Sequence, residues 1–135
     1  MSEQNVETVR DFWEAAMGGD PMDVDLSRVD ADIVYEDEVL PDHGDEVYRG
    51  HAGLRRAWAR MLEPWEDGAE NVIEWARDAG DAVVTCQRAR MKGKGSSIEV
   101  EFRYAYLWRL EDGRLVYLKS FRDPADALEA AGLSG

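Results

Sequence analysis

The run Ile98-Glu99-Val100-Glu101-Phe102-Arg103-Tyr104-Ala105-Tyr106-Leu107-Trp108-Arg109-Leu110 alternates between two faces, and one of them carries Phe102, Tyr104, Tyr106 and Trp108. The turn Glu111-Asp112-Gly113-Arg114 follows, and a second run, Leu115 to Phe121, returns to stop at Arg122-Asp123-Pro124. A hairpin this long with one aromatic face cannot stand alone in water. That face has to cover a core or line a pocket.

The rest of the chain supplies what it covers. Residues 4–17 are predicted helical, with Val6, Val9, Trp13, Ala16 and Met17 on one face and Gly18-Gly19 as the stop. Asp20-Pro21-Met22-Asp23 has the pattern of a helix start, which predicts a short helix to about Ser27. Asp32 to Glu38 reads as a strand and residues 39–46 as a polar loop with proline and glycine punctuation. A further helix is predicted from His51 to Glu63, with Leu54, Ala57, Trp58, Met61 and Leu62 as its stripe and Pro64 at its end. Asn71 to Arg77 and Ala82 to Met91 flank the turn Asp78-Ala79-Gly80-Asp81, so four antiparallel strands in series are expected. Asp123-Pro124-Ala125-Asp126 opens a last short helix that Gly132 ends. Helices first and strands after make the fold class α+β, expected as one domain over residues 1–135.

Charge narrows the partners. The net charge is −13, and the first 68 residues carry 18 acids against 6 bases while the remainder carries 11 against 10. Such a surface repels phosphate backbones, so nucleic acid is not an expected partner. There is no leader-like segment and no apolar run of membrane length, so no membrane association and a cytoplasmic location are expected. The single cysteine, Cys86, lies in an apolar strand and reads as a small buried side chain. His43 and His51 have no ligand spacing, so no metal is expected. Nothing resembles a nucleotide loop or a serine nucleophile elbow, and no cofactor is expected.

Several segments carry a resemblance across nearly the whole chain. They are Tyr48-Arg49-Gly50-His51-Ala52-Gly53-Leu54, Gly93-Lys94-Gly95-Ser96-Ser97, residues 105–114, and the tail from Asp123 to Leu133. With the order of elements, they make the chain resemble the SnoaL-like polyketide cyclase family within the nuclear transport factor 2-like, or ketosteroid isomerase-like, superfamily. The resemblance implies a cone in which a strongly curved antiparallel sheet wraps the N-terminal helices around an internal pocket. It also implies a homodimer. The family contains isomerases, cyclases, hydrolases and non-enzymes, so it leaves activity open.

Three residues are candidates for chemistry. Val34-Tyr35-Glu36-Asp37-Glu38-Val39 is similar to the strand that carries the catalytic aspartate of ketosteroid isomerases. Alternation sets Ile33, Tyr35 and Asp37 on one face, so a pocket that meets Tyr35 also meets Asp37. The competing reading makes Asp37 one more strand-end acid. Asp123 stands where the resemblance implies a pocket aspartate, but it can equally cap the last helix. Tyr106 can donate to a carbonyl oxygen, or it can be an aromatic core residue. Arg88, Arg90 and Arg103 read as a solvated outer face, with pairing of one to a buried carboxylate as the alternative, and His51 reads as structural, with a base as the alternative.

The chain also departs from its relatives. The first helix offers Phe12 and Trp13 but no tyrosine, and Ala105-Tyr106 offers no acid, so the usual isomerase oxyanion hole is missing. Arg103 is followed two positions on by Ala105, so the epoxide-hydrolase pattern is missing too. The expected pocket is lined by Phe12, Trp13, Tyr35, Trp58, Met61, Trp65, Tyr104, Tyr106, Trp108 and Phe121, and suits an apolar small molecule with a carbonyl. Two functions stay open. One is a cofactor-independent cyclase or isomerase with Asp37 or Asp123 as general base and Tyr106 at the oxyanion. The other is a non-catalytic binding or dimeric scaffold protein.

Overall fold

A computed structural model describes residues 2–17, 23–38, 46–62, 70–93, 95 and 97–133. In chain order the elements are α1 (Ser2–Met17), β1 (Val29–Asp37), β2 (Glu46–Arg49), α2 (Gly50–Leu62), β3 (Glu70–Asp78), β4 (Ala82–Lys92), β5 (Glu99–Glu111), β6 (Arg114–Phe121) and α3 (Pro124–Ala130). The six strands form one open sheet in the order β2-β1-β6-β5-β4-β3.

The long hairpin is β5–β6. Its two-residue turn, Asp112-Gly113, has both residues at positive φ (50° and 78°), the geometry whose twist matches that of the flanking strands. The meander β3-β4-β5-β6 is antiparallel throughout. The sheet as a whole is mixed, not antiparallel as expected, because β1 pairs with β6 in parallel, Tyr35 opposite Leu118 and Glu36 opposite Lys119. β1 cannot join as a fifth meander strand because β2, α2 and the strands β3 to β5 intervene before the chain returns to pair with it as β6. Register shifts in β3–β4, β5–β6 and β1–β6 bend the sheet locally.

Two predicted elements differ. The short helix to Ser27 does not continue through its described part: Val24 to Leu26 are irregular and Ser27–Arg28 form a turn, stabilised by Asp25 Oδ1 accepting from the Ser27 N–H at 2.9 Å. Its start, at residues 20–22, lies outside the described residues. The end of the predicted loop 39–46 and Tyr48-Arg49 form the edge strand β2, whose Tyr48 pairs with Tyr35. Gly50 then turns the chain into α2 at φ +72°, where an added Cβ would meet the Ala31 carbonyl oxygen at 3.3 Å.

The stripes of α1 (Val9, Phe12, Trp13, Ala16) and α2 (Leu54, Ala57, Trp58, Met61) lie buried against the inner face of the sheet. A second, smaller cluster lies on the outer face, where Ala127 and Leu128 of α3 cover Ala82, Val84, Ala105, Leu107 and Phe121. No helix among the described residues is long and apolar enough to cross a membrane.

Candidate functional site

Alternation along β1 buries Ile33, Tyr35 and Asp37 while their neighbours Val34, Glu36 and Glu38 are only half-buried. Asp37 is a carboxylate at 2 % exposure. Ionised carboxylates reach such a place only when hydrogen bonds replace lost water. Here the Ser120 hydroxyl donates to Asp37 Oδ1 at 2.8 Å, and the Tyr35 hydroxyl donates to the same oxygen at 3.4 Å. Ser120 Oγ in turn accepts from the Glu38 N–H at 3.0 Å. The parallel pairing of β1 with β6 produces this contact, since the register Glu36–Lys119 leads directly to Asp37 and Ser120.

From Asp37 a line of buried phenols crosses the inner face. Tyr35, Tyr106 and Tyr104 all lie at or below 3 % exposure, and Tyr106 is 6.2 Å from Tyr35 and 5.3 Å from Tyr104 between ring centres. Burial pushes all three hydroxyl pKa values well above 10.0, and the Asp37 charge adds to the rise at each; hydrogen bonding to Ser120 and Tyr106 partly offsets it at Tyr35. At neutral pH they are therefore protonated donors. At the far end the Asn71 amide donates to the Tyr104 hydroxyl at 2.6 Å, and the Asn71 carbonyl oxygen of the backbone accepts from the Trp13 indole at 3.0 Å. A second buried polar group lies alongside: Trp108 Nε1 and Gln87 Nε2 both donate to Thr85 Oγ1, at 2.8 and 2.9 Å.

The sequence-predicted residues sort clearly. Phe12, Trp13, Tyr35, Trp58, Met61, Tyr104, Tyr106 and Trp108 come together in the inner cluster, with Met61 Sδ 4.0 Å from the Tyr106 hydroxyl. Phe121 does not join them. Leu118 and Ser120 point inward, so Phe121 faces outward and packs in the α3 cluster, with the Lys119 ammonium 5.1 Å from its ring. Asp123 also stands apart. It is exposed, and its carboxylate accepts from the Ala125 N–H at 2.9 Å as the N-cap of α3. Trp65 and His43 lie outside the described residues. His51 Nε2 is 2.7 Å from the Val29 carbonyl oxygen, a contact that ties α2 to the start of β1. Arg88, Arg90 and Arg103 form an outer-face lattice with Glu70, Glu74, Glu99 and Glu101, in which Arg103 holds Glu74 through two bonds of 2.7 and 3.1 Å. Cys86 is buried, and burial pushes its thiol up from 9.0.

Sequence reasoning missed Ser120, Asn71, Thr85 and Gln87. A parity signal was available for two of them. Val83, Thr85, Gln87, Ala89 and Met91 share one face of β4, and the apolar members imply burial of the polar ones.

The arrangement holds a carboxylate, one aliphatic hydroxyl and three neutral phenols inside an aromatic wall. It can accept a proton at one end and donate hydrogen bonds along its length. Asp37 is the last residue of β1 and Met61 lies at the end of α2, so this end of the inner face borders the segments 39–45 and 63–69 in sequence.

Known proteins place the architecture. A structure from Jannaschia sp. CCS1, provisionally named a SnoaL-like polyketide cyclase, is 24% identical, covers 99% of this chain and 95% of its own, and superposes with a TM-score of 0.74. A ketosteroid isomerase-like protein from Catenulispora acidiphila DSM 44928, solved with trimethylamine, is 23% identical over 94% of this chain and 93% of its own, with a TM-score of 0.72. A nuclear transport factor 2-like protein of unknown function from Burkholderia pseudomallei K96243 is 21% identical, with coverages of 93% and 95% and a TM-score of 0.71. No curated protein matches the sequence. These structures share the α+β fold with its mixed sheet, and residues 9–118 match the SnoaL-like domain as a family. The chain belongs to the SnoaL-like domain family, on the nuclear transport factor 2-like fold.

Proposed function

We propose that the protein takes a small apolar ketone at the Asp37 end of the inner face and abstracts a proton next to the carbonyl. Asp37 is the general base, and Tyr106 is the donor to the developing oxyanion. The observation that carries this reading is a carboxylate at 2 % exposure joined to a row of phenols that burial keeps protonated. A base needs a site from which bulk water is excluded and a substrate held against it. An oxyanion donor needs to keep its proton while charge develops, which a raised phenol pKa secures. Ser120 and Tyr35 hold the carboxylate in one orientation. The SnoaL-like family membership is consistent with a cyclase or isomerase and does not by itself choose between them.

The test is exchange of α-protons in D2O, read by proton NMR over a panel of steroid and fused-ring aromatic ketones. This readout detects abstraction whatever the final product. Wild-type protein accelerates exchange for at least one member, and Asp37→Asn lowers the rate by about 10²-fold or more. Tyr106→Phe lowers it by about 10²-fold. Absence of exchange across the panel, or an undiminished rate in Asp37→Asn, overturns the enzyme reading in favour of a ligand-holding protein.

A second copy of the chain belongs to the same proposal. Two molecules of charge −13 repel over most of their surfaces. The outer lattice of three arginines and four glutamates is close to neutral, which supports it as the face where copies meet. Light scattering at micromolar concentration gives a dimer mass; a monomer mass refutes this part.

A further inference from the structure

A groove of about 330 Å³ runs between α1 and β3, lined by Arg10, Trp13, Glu14, Met17, Asn71, Val72 and Ile73. Its walls are the Trp13 indole, Met17 and Ile73. Arg10 and Glu14 stand one helical turn apart on α1, so the rim carries one charge of each sign and favours a neutral ligand. Asn71 stands out in this lining. It is 7 % exposed, its amide nitrogen is committed to Tyr104, and its Oδ1 has no hydrogen-bond partner among the described residues. A buried amide carbonyl without a donor is costly, and such an atom marks a place where something else supplies the donor.

We propose that this groove is a second binding site, separate from Asp37, for a small neutral aromatic molecule bearing one hydrogen-bond donor, a phenol in the simplest case. The ring lies against Trp13, Met17 and Ile73, and the hydroxyl donates to Asn71 Oδ1. Tyr104 engages the amide nitrogen, which leaves the carbonyl for the ligand. The site discriminates by the donor: a molecule of the same shape that only accepts leaves Asn71 as it was and gains ring contact alone.

The probes are 2-naphthol and 2-methoxynaphthalene, titrated into the full chain and followed by NMR at the Trp13 indole N–H, the Asn71 side-chain amide and the Ile73 methyls. The expected result is saturable shifts at these three positions and about tenfold tighter binding of 2-naphthol. Asn71→Ala brings the two affinities together. Met17→Ala, which removes one wall of the groove, weakens both. Asp37→Asn keeps the tenfold preference, so this proposal and the proposed proton abstraction fail independently. Equal affinities in the wild type, an Asn71→Ala variant that still prefers 2-naphthol, or shifts confined to Tyr35 and Ser120 would each overturn the assignment.

Discussion

The two faces of the sheet solve the same problem with different materials. The inner face buries Trp108, Tyr104 and Tyr106 from β5 against Trp13, Phe12 and Trp58, with ring centres 5.3 to 6.2 Å apart in tilted and edge-on pairs. The outer face buries the intervening residues of the same strand, Ala105 and Leu107, under the short helix α3. Beyond the reach of α3, that face switches to arginine and glutamate in mutual contact. Large rings leave irregular gaps and bring hydroxyls inside, which a functional interior can use; small aliphatics pack without polar atoms and serve only to hold. One strand thus carries both jobs, separated by side-chain parity alone.

The sharpest way to break this comparison is to remove one large side chain from each face. Trp108 is fully buried, touches three other rings and donates to Thr85. Trp108→Ala should cost about 3–5 kcal/mol, enough to threaten folding of a marginally stable domain. Leu128→Ala, at the edge of the α3 cluster, should cost about 2 kcal/mol. Urea unfolding followed by circular dichroism measures both, and equal costs would mean the inner cluster is no more critical to the fold than the outer one.

Alkaline pH separates the faces by chemistry. Tyr35, Tyr104 and Tyr106 have folded pKa values raised above the ordinary 10.0, chiefly by burial. In the unfolded chain these phenols lose their protons near pH 10, while the folded protein keeps them. The unfolded state then binds fewer protons than the native one, so stability is intact below about pH 10 and falls as pH rises beyond it. Each phenol contributes a slope of up to about 1.4 kcal/mol per pH unit. Tyr104→Phe should reduce the steepness of this loss in urea titrations between pH 9 and 11. Tyr117, half-buried on the outer face, is also pushed up by burial and by its bond to Glu36, but it is one phenol against three.

Much of the fold was legible because it depends on periodicity. The helix stripes around Trp13 and Trp58 and the alternation in β5 follow from apolar spacing alone, and Asp112-Gly113 fixed the hairpin. The parallel β1–β6 pair was not legible. Nothing local in Asp32 to Glu38 says which distant strand it will join, since that is decided by which edge remains after the meander forms. The site divided in the same way. The likeness of its strand to that of ketosteroid isomerases points to Asp37, and parity with Tyr35 puts it on the buried face. Ser120, which holds it, was passed over because the contact exists only through the non-local pairing. Aromatic character alone suggests Phe121 for the pocket, but its odd offset from Leu118 and Ser120 puts it on the other face.

Asp123 gives the smallest and most diagnostic test, because its two readings differ in kind. Its carboxylate accepts from Ala125 N–H at 2.9 Å, Pro124 opens the helix, and Asp126 completes the acidic first turn. A cap acts through one hydrogen bond and a favourable charge at the positive end of a helix, neither of which depends on a substrate. Asp123→Ala should therefore cost about 1 kcal/mol of stability, Asp123→Ser should restore most of it, and neither should change ketone proton exchange. A base would behave the other way: serine would not rescue it, and exchange would fall while stability held. α3 covers the outer face only, so loosening it should weaken the packing of Leu128 and Phe121 and leave the row from Asp37 to Asn71 as it was. A loss of exchange in Asp123→Ser that comes with a loss of stability would mean that the two faces are coupled through Ser120 and Phe121, neighbours on one strand with opposite orientations.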